Sequence, residues 1–308
     1  MPDKNLTVSS SPHIQSKQTT QKIMYIVTLS LLPAGIAGIY IFGMCSLKVM
    51  LLSMLSCVIS EAIFLKFRKK DLKAVLDGSA LLTGLLLAYN LPPETPFWIP
   101  IIGGIVSIVI GKQIFGGLGH NIFNPALVGR VFLQISWPVY MTTWKNPRWL
   151  VDAVSTATPL AKEGARSFSY MDLFLGNQGG CIGEVCILAL LIGAAILLFT
   201  NIISFHVPGS YIGTVLVLSL IFRENFMFHL LAGGLVLGAF FMATDYVTCP
   251  LTKKGKIIFG IGCGVLTVLI RLKGGYPEGV SYAILFMNAV VPIIDRYTKT
   301  RKYGFVKK

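Results

Sequence analysis

Apolar residues run through this chain in long blocks separated by short polar stretches. The blocks have the length of membrane-spanning helices, for which about 20 residues suffice, and lack the alternation of strands. Candidate spans fall near residues 24–43, 47–65, 78–92, 97–115, 124–141, 183–205, 208–223, 227–247, 256–272 and 277–295. The pattern predicts an all-α integral membrane protein with about ten transmembrane helices. The third stretch is short, opening at Gly78 and ending at Leu91-Pro92-Pro93, and the seventh follows Pro208-Gly209. Residues 1–22 are polar and lack the short apolar core of a signal peptide, so they read as a flexible cytoplasmic tail. Residues 297–308 read as a second, basic cytoplasmic tail. Between them lie a first half (23–180), which includes an outer loop at about 145–180, and a second half (181–296).

A faint internal echo links the halves. Gly78-Ser79-x-x-x-Thr83 recurs as Gly209-Ser210-x-x-x-Thr214, and paired glycines follow at Gly103-Gly104 and Gly233-Gly234. Phe123-Asn124-Pro-Ala-Leu-Val128 is answered loosely by Phe286-Met-Asn288-Ala-Val-Val291. Five spans per half is an odd number, so the second half is expected to be inverted relative to the first. Inverted halves with interrupted helices place their binding sites at the interface between them. Glycines that merely ease helix packing account for part of the same pattern.

Composition and charge sharpen this picture. Hydrophobic residues make up 54% of the 308 and charged residues 13%, half the share of a soluble domain. The net charge of +14 raises the question of nucleic acid. The Lys and Arg residues, however, cluster between apolar blocks rather than along one face, so no nucleic-acid partner is expected. With the N-terminus inside, the cytoplasmic tails and loops hold 18 Lys and Arg and the outer loops 8. The positive-inside rule therefore puts both termini in the cytoplasm and the fifth loop outside. None of the six cysteines forms a C-x-x-C, so no zinc or iron–sulfur site and no metal is expected from this chain alone.

Two polar segments carry candidate chemistry. Asp152-Ala-Val-Ser155-Thr-Ala157-Thr158, followed by Pro159, lies in the outer loop. Pro159 pushes Thr158 into an extended conformation, which turns its hydroxyl outward as an acceptor for a phosphoester. The string resembles the site at which flavin transferases attach FMN to threonine, with Thr156 a rival hydroxyl one register away. Gly116-Gly-Leu-Gly-His-Asn121-Ile-Phe-Asn124-Pro125 opens the fifth apolar stretch. Its glycines free backbone N–H groups, its asparagines offer donors and acceptors, and Pro125 suits a first helical turn. Asn121 and Asn124, three apart, are expected to share a face of that opening turn. Such a start holds a polar planar molecule or an anion, or serves only as a re-entry turn.

In order along the chain stand Asp77-Gly-Ser-x-x-x-Thr83 with Leu91-Pro-Pro, then Gly116-Gly-x-Gly-x-Asn-x-x-Asn-Pro-Ala-Leu-x-Gly-Arg130. The Thr158 loop, Met242-Ala-Thr-Asp245 and Phe286-Met-Asn288 follow. From about residue 24 to 300 this set resembles the RnfD family of membrane subunits, found in the Rnf ion-translocating electron-transport complex. A paralogous membrane subunit of the sodium-translocating NADH:quinone oxidoreductase belongs to the same family. The resemblance implies ten spans in the bacterial inner membrane, covalent FMN on Thr158 with Asp152, Ser155 and Ala157 around it, and a non-covalent riboflavin near Asn121 and Asn124. It also implies partnership with the other subunits of the Rnf complex, with a flavin transferase for maturation and with membrane lipid. The chain is then expected to carry electrons in a sodium or proton pump driven by ferredoxin and NAD, with no catalytic residue of its own.

Charges inside apolar spans are costly, which makes them functional candidates. Arg130 is placed to stabilise a reduced flavin anion or to tie down carbonyls of the broken helix. Glu61, Asp245 and Asp295 are ion-path candidates. Glu61 can equally snorkel or pair with Lys66 or Arg68, and Asp295 can pair with Arg296. A passive channel or permease for a small polar solute is the rival reading, since midplane asparagines suit it too. Such a protein has no use for the string from Asp152 to Thr158.

Overall fold

The computed structural model describes residues 18–144, 147–148, 169–274 and 279–299. Every element among them is helical. In the first half these are α1 (Thr20–Phe42), α2 (Met44–Phe67), α3 (Ser79–Tyr89), α4 (Trp98–Ile108), α5 (Pro125–Ser136) and α6 (Pro138–Thr142). After the outer loop come α7 (Tyr170–Leu175), α8 (Ile187–Phe199), α9 (His206–Ile221), α10 (Phe226–Leu231), α11 (Leu235–Leu237), α12 (Lys253–Lys273) and α13 (Val280–Tyr297). Each of the ten expected apolar stretches contains at least one of these helices. By length and composition, α1, α2, α12 and α13 are long and apolar enough to cross a membrane, and the rest are shorter.

Helix ends follow local chemistry. Thr19 and Thr252 cap α1 and α12 by accepting from the N–H groups of Lys22 and Gly255. Arg271 and Lys273 close the last turn of α12, where cations favour the helix dipole. Gly43 alone turns the chain from α1 into α2, with a φ of +82° that a side chain would strain. Pro138, directly after Trp137, ends α5, so the stretch expected at 124–141 is two helices rather than one.

Three interruptions shape the interior. At 11 residues, α3 rises about 17 Å, half of a bilayer's apolar thickness. Its end is met by a buried, non-helical segment. Gly183 and Ile182 donate their N–H groups to the carbonyls of Tyr89 (3.0 Å) and Leu91 (3.1 Å). The apolar run expected from 183 is thus helical only from Ile187, because residues 181–185 complete α3 instead. The eighth stretch breaks at Ala232-Gly233-Gly234, between α10 and α11. Finally, α4 and α11 each run on into a five-residue π-helix, Val109–Gln113 and Gly238–Met242. Such π-turns gather at functional sites.

Lipid gives helices no hydrophobic reason to associate, so close approach and interhelical hydrogen bonds hold the bundle. Gly84 of α3 lies so close to α2 that a Cβ there would meet Met54 Cα at 2.6 Å. The contact lets Ser53 donate to the Gly84 carbonyl (2.8 Å). Tyr89 donates to Leu31 O (2.7 Å), and Tyr211 pairs with Thr267 (2.6 Å). α2 packs on α3 and α4, and α4 on α5; in the second half α9 packs on α12, and α12 on α13. The halves meet through α1 on α8 and α5 on α13. In this packing α9 corresponds to α2. The Gly-Ser-x-x-x-Thr echo therefore joins elements of different rank, α3 and α9, whereas Asn124 and Asn288 stand at matching positions and touch.

Candidate functional site

Where the halves meet, a cavity of about 740 Å³, including its mouth, opens between α1, α3, α8 and the π-turn after α11. Its polar lining comes from Ser79, Thr83, Lys112, Asn121, Asn124, Thr244 and Asp245, and its aromatic lining from Phe240, Phe241 and Tyr246. Ile23, Val27, Leu86 and Leu197 supply the apolar wall. The Tyr246 hydroxyl donates to the Ile202 carbonyl and so bridges two loops at the mouth.

Asn121 and Asn124 both reach this cavity, though not from one helical face. Asn124 is the N-cap of α5, its Oδ1 accepting from Ala126 N–H (3.1 Å), and Asn121 lies in the turn before the helix. Gly116, Gly117 and Gly119, all at positive φ, fold that turn back on itself. Asn121 Nδ2 donates to Phe123 O (3.1 Å) and Asn124 Nδ2 to Met242 O (3.3 Å). With its amide oriented to suit its neighbours, Asn288 accepts from Asn124 N–H (3.1 Å) and donates to the carbonyls of Thr248 and Ile284. Asn124 and Asn288 thereby lock the interrupted helices of the two halves together.

Glu61 is buried and pairs with neither Lys66 nor Arg68. Its Oε1 accepts from Lys112 Nζ (2.5 Å) and from Gln113 Nε2 (2.7 Å). Lys112 Nζ also donates to Ser79 Oγ (2.6 Å), and Ser79 in turn donates to Asp77 Oδ1 (2.5 Å). The π-turn after α4 brings Lys112 and Gln113 side by side onto the same carboxylate. Glu61 to Lys112 is the one ion pair among the described residues. Asp245 accepts from Thr248 (3.1 Å) at the cavity edge. Asp295 caps the Leu251 N–H (3.1 Å), which ties the end of α13 to the loop before α12.

Arg130 lies deeper in α5, fully buried, with Nη1 donating to Cys181 Sγ (3.4 Å). Cys181 donates to the Asn90 carbonyl (3.3 Å) at the end of α3. Glu184, on the segment that completes α3, lies in the electrostatic field of both Arg130 and Arg271. Arg271 donates to the carbonyls of His229 (2.6 Å) and Ala232 (3.1 Å), where α10 breaks. Sequence reasoning passed over Lys112, Glu184 and Arg271. Each is a charge inside or at the edge of an apolar stretch, which is the signal that singled out Glu61. Asp152, Ser155, Ala157 and Thr158 lie outside the described residues. On the flanks of their loop, Arg148 N–H donates to Ile41 O (3.1 Å) and Ser169 caps α7.

A family model described as the NQR2, RnfD, RnfE family matches residues 7–304. The chain belongs to that family. It is 49% identical to the RnfD-type subunit of the Na(+)-translocating ferredoxin:NAD(+) oxidoreductase complex of Acetobacterium woodii, over 100% of this chain and 98% of the relative. It is 47% identical to the corresponding subunit of the proton-translocating ferredoxin:NAD(+) oxidoreductase complex of Clostridium ljungdahlii, over 97% and 96%. It is 39% identical to that of an ion-translocating oxidoreductase complex from Stutzerimonas stutzeri, over 94% and 93%. Members of the family thus move different ions on a shared architecture.

Proposed function

We propose that this chain is the electron-carrying RnfD subunit of an ion-translocating ferredoxin:NAD oxidoreductase in the bacterial inner membrane. It has ten spans in two inverted halves, both termini in the cytoplasm, FMN esterified to Thr158 outside and riboflavin in the cavity between the halves. The observation that carries this reading is the convergence of Asn121, Asn124 and Lys112 on one cavity with an aromatic wall. The edge of an isoalloxazine presents two carbonyls and an N–H, which amide side chains match, and each group buried unmatched costs about 1–3 kcal/mol. Phe240, Phe241 and Tyr246 give the ring system an apolar surface, and Lys112 sets a positive charge beside it.

When bound, the flavin supplies reversible one- and two-electron chemistry; the protein fixes its place, charge and solvent access. Lys112 balances negative charge arriving in the cavity while shared with Glu61. Glu61 and Asp245 offer carboxylates for a cation or proton beside the cavity. Asp295 serves the backbone instead. Arg130 lies about one and a half turns beyond Asn124 and acts on the interior carboxylate of Glu184 rather than on the cavity itself.

The test separates two flavins. Asn124→Ser keeps a capping oxygen but removes the amide, and with Asn121→Leu it should release acid-extractable riboflavin from the assembled complex while FMN stays on the chain. Thr158→Ala should do the reverse, abolishing in-gel flavin fluorescence. Full riboflavin occupancy in the double variant would move the second flavin elsewhere. Fluorescence that survives Thr158→Ala would move the ester to another hydroxyl, Thr156 first.

A further inference from the structure

The outward side of α2 carries a groove that the proposed electron path does not use. Every fourth residue of α2 from Leu55, namely Ile59, Ile63 and Phe67, stands more than half exposed, and together they form one wall. Ile101 and Ile105 of α4 form the other, and about 1100 Å³ lies between them. Measured from Leu52 to Phe67, the groove runs about 22 Å, somewhat more than the depth of one leaflet's acyl layer.

At one end of the groove the character changes within a single residue. Lys66, Arg68, Lys69 and Lys70 are all exposed beside Phe67, against a lone Lys48 about a turn beyond the other end. The guanidinium of Arg68 is fixed there, 5.4 Å from the centre of the Phe64 ring and donating to the Gln113 carbonyl (3.4 Å). No ion pair among the described residues neutralises these four cations. Leu72 and Leu76, on the short 3₁₀ helix that follows, are exposed apolar residues at the same level, as expected of a segment lying at a membrane interface.

We infer that this groove is a binding site for an anionic phospholipid, with an acyl chain along α2 and α4 and the phosphate at Arg68, Lys69 and Lys70. Charge complementarity decides the headgroup, because a basic cluster next to a cytoplasmic helix end attracts anionic lipid. Shape decides against a helix from a neighbouring protein of the complex. Helix pairs in lipid come together over small residues. Here the walls are tall Leu, Ile and Phe side chains, and the hydroxyl of Ser56 in the floor is already spent on the carbonyls of Ser53 and Pro100. A thin, flexible chain fits between such walls where a helix about 10 Å across does not.

The experiment is native mass spectrometry of the intact complex titrated with phosphatidylglycerol or phosphatidylcholine. Phosphatidylglycerol should stay bound in preference. Arg68→Gln/Lys69→Gln/Lys70→Gln should weaken it roughly hundredfold, the expected effect of three near-surface cations. Lys48→Gln, at the far end, should leave it unchanged. Ile59→Trp/Ile63→Trp, which fills the groove but keeps the cations, should lower binding as well. The inference falls if phosphatidylcholine binds equally or if the triple variant retains the lipid. It falls equally if inorganic phosphate competes as well as the lipid does, or if a cysteine at position 59 crosslinks to a helix of a neighbouring protein in the complex.

Discussion

Lys112→Met isolates the one buried ion pair among the described residues. Glu61 Oε1 accepts from two donors, Lys112 at 2.5 Å and Gln113 at 2.7 Å, and both partners of the pair are almost wholly buried. Without Lys112 the carboxylate keeps a single neutral donor, and Ser79 Oγ loses its ammonium partner. Breaking a buried pair from one side leaves an uncompensated charge and costs about 3–5 kcal/mol. Replacing both members by neutral groups removes that charge and is often close to neutral. Glu61→Gln/Lys112→Met should therefore stand within about 2 kcal/mol of the parent, a coupling of roughly 2–4 kcal/mol between the two positions. Unfolding of the purified chain in detergent micelles with increasing dodecyl sulfate measures all four corners of the cycle. Lys73→Met, on the exposed loop, is the control and should change stability by no more than about 0.5 kcal/mol. A single variant that loses under about 1 kcal/mol, or a double variant as unstable as the sum of the singles, would refute the pairing.

Other outcomes are equally direct. Cysteine introduced at Ser167 should react with an impermeant reagent on intact cells, and reaction only after lysis would invert the topology. Arg271→Met should destabilise the chain by about 3 kcal/mol or more, since it uncaps two carbonyls at the break of α10 and strips a cation from Glu184; circular dichroism during a detergent-denaturation series reads the change. Tyr246→Phe, which removes the hydroxyl bridge to Ile202, should speed riboflavin release from the complex without altering its spectrum. An unchanged off-rate would mean that the bridge does not guard the mouth.

The apolar blocks were legible because spans need only length and composition, and ten stretches read from sequence each contain helix. Asn121 and Asn124 were legible for a related reason: amides next to Gly and Pro at the start of an apolar run have no structural use except at a break. What hydropathy could not convey was how helices end inside the bundle. Residues 181–185 are apolar enough to read as span, yet their N–H groups serve the carbonyls of Tyr89 and Leu91, a pairing across some 90 residues that no local pattern encodes. The partner of Glu61 was hidden in the same way. Lys66 and Arg68 are its neighbours in sequence, but the π-turn of α4 presents Lys112 from 51 residues away. The Gly-Ser-x-x-x-Thr echo misled about rank, because close helix crossings favour the same small residues wherever they fall.

The carboxylate of Glu184 has a bearing on how such a protein can work. It sits on the segment that opens the second half, and it answers to Arg130 of the first half and Arg271 of the second. Asn124 adds ties from the first half to Met242 and Asn288 of the second. A carrier that rocks its halves past each other must part whatever joins them at every cycle, and here that would strand buried charge in lipid twice per turnover. These halves are riveted, not hinged. Conformational change that accompanies electron arrival is therefore confined to single side chains and loop tips, such as Lys112 swinging from Glu61 or Tyr246 lifting from Ile202, on a frame that holds still.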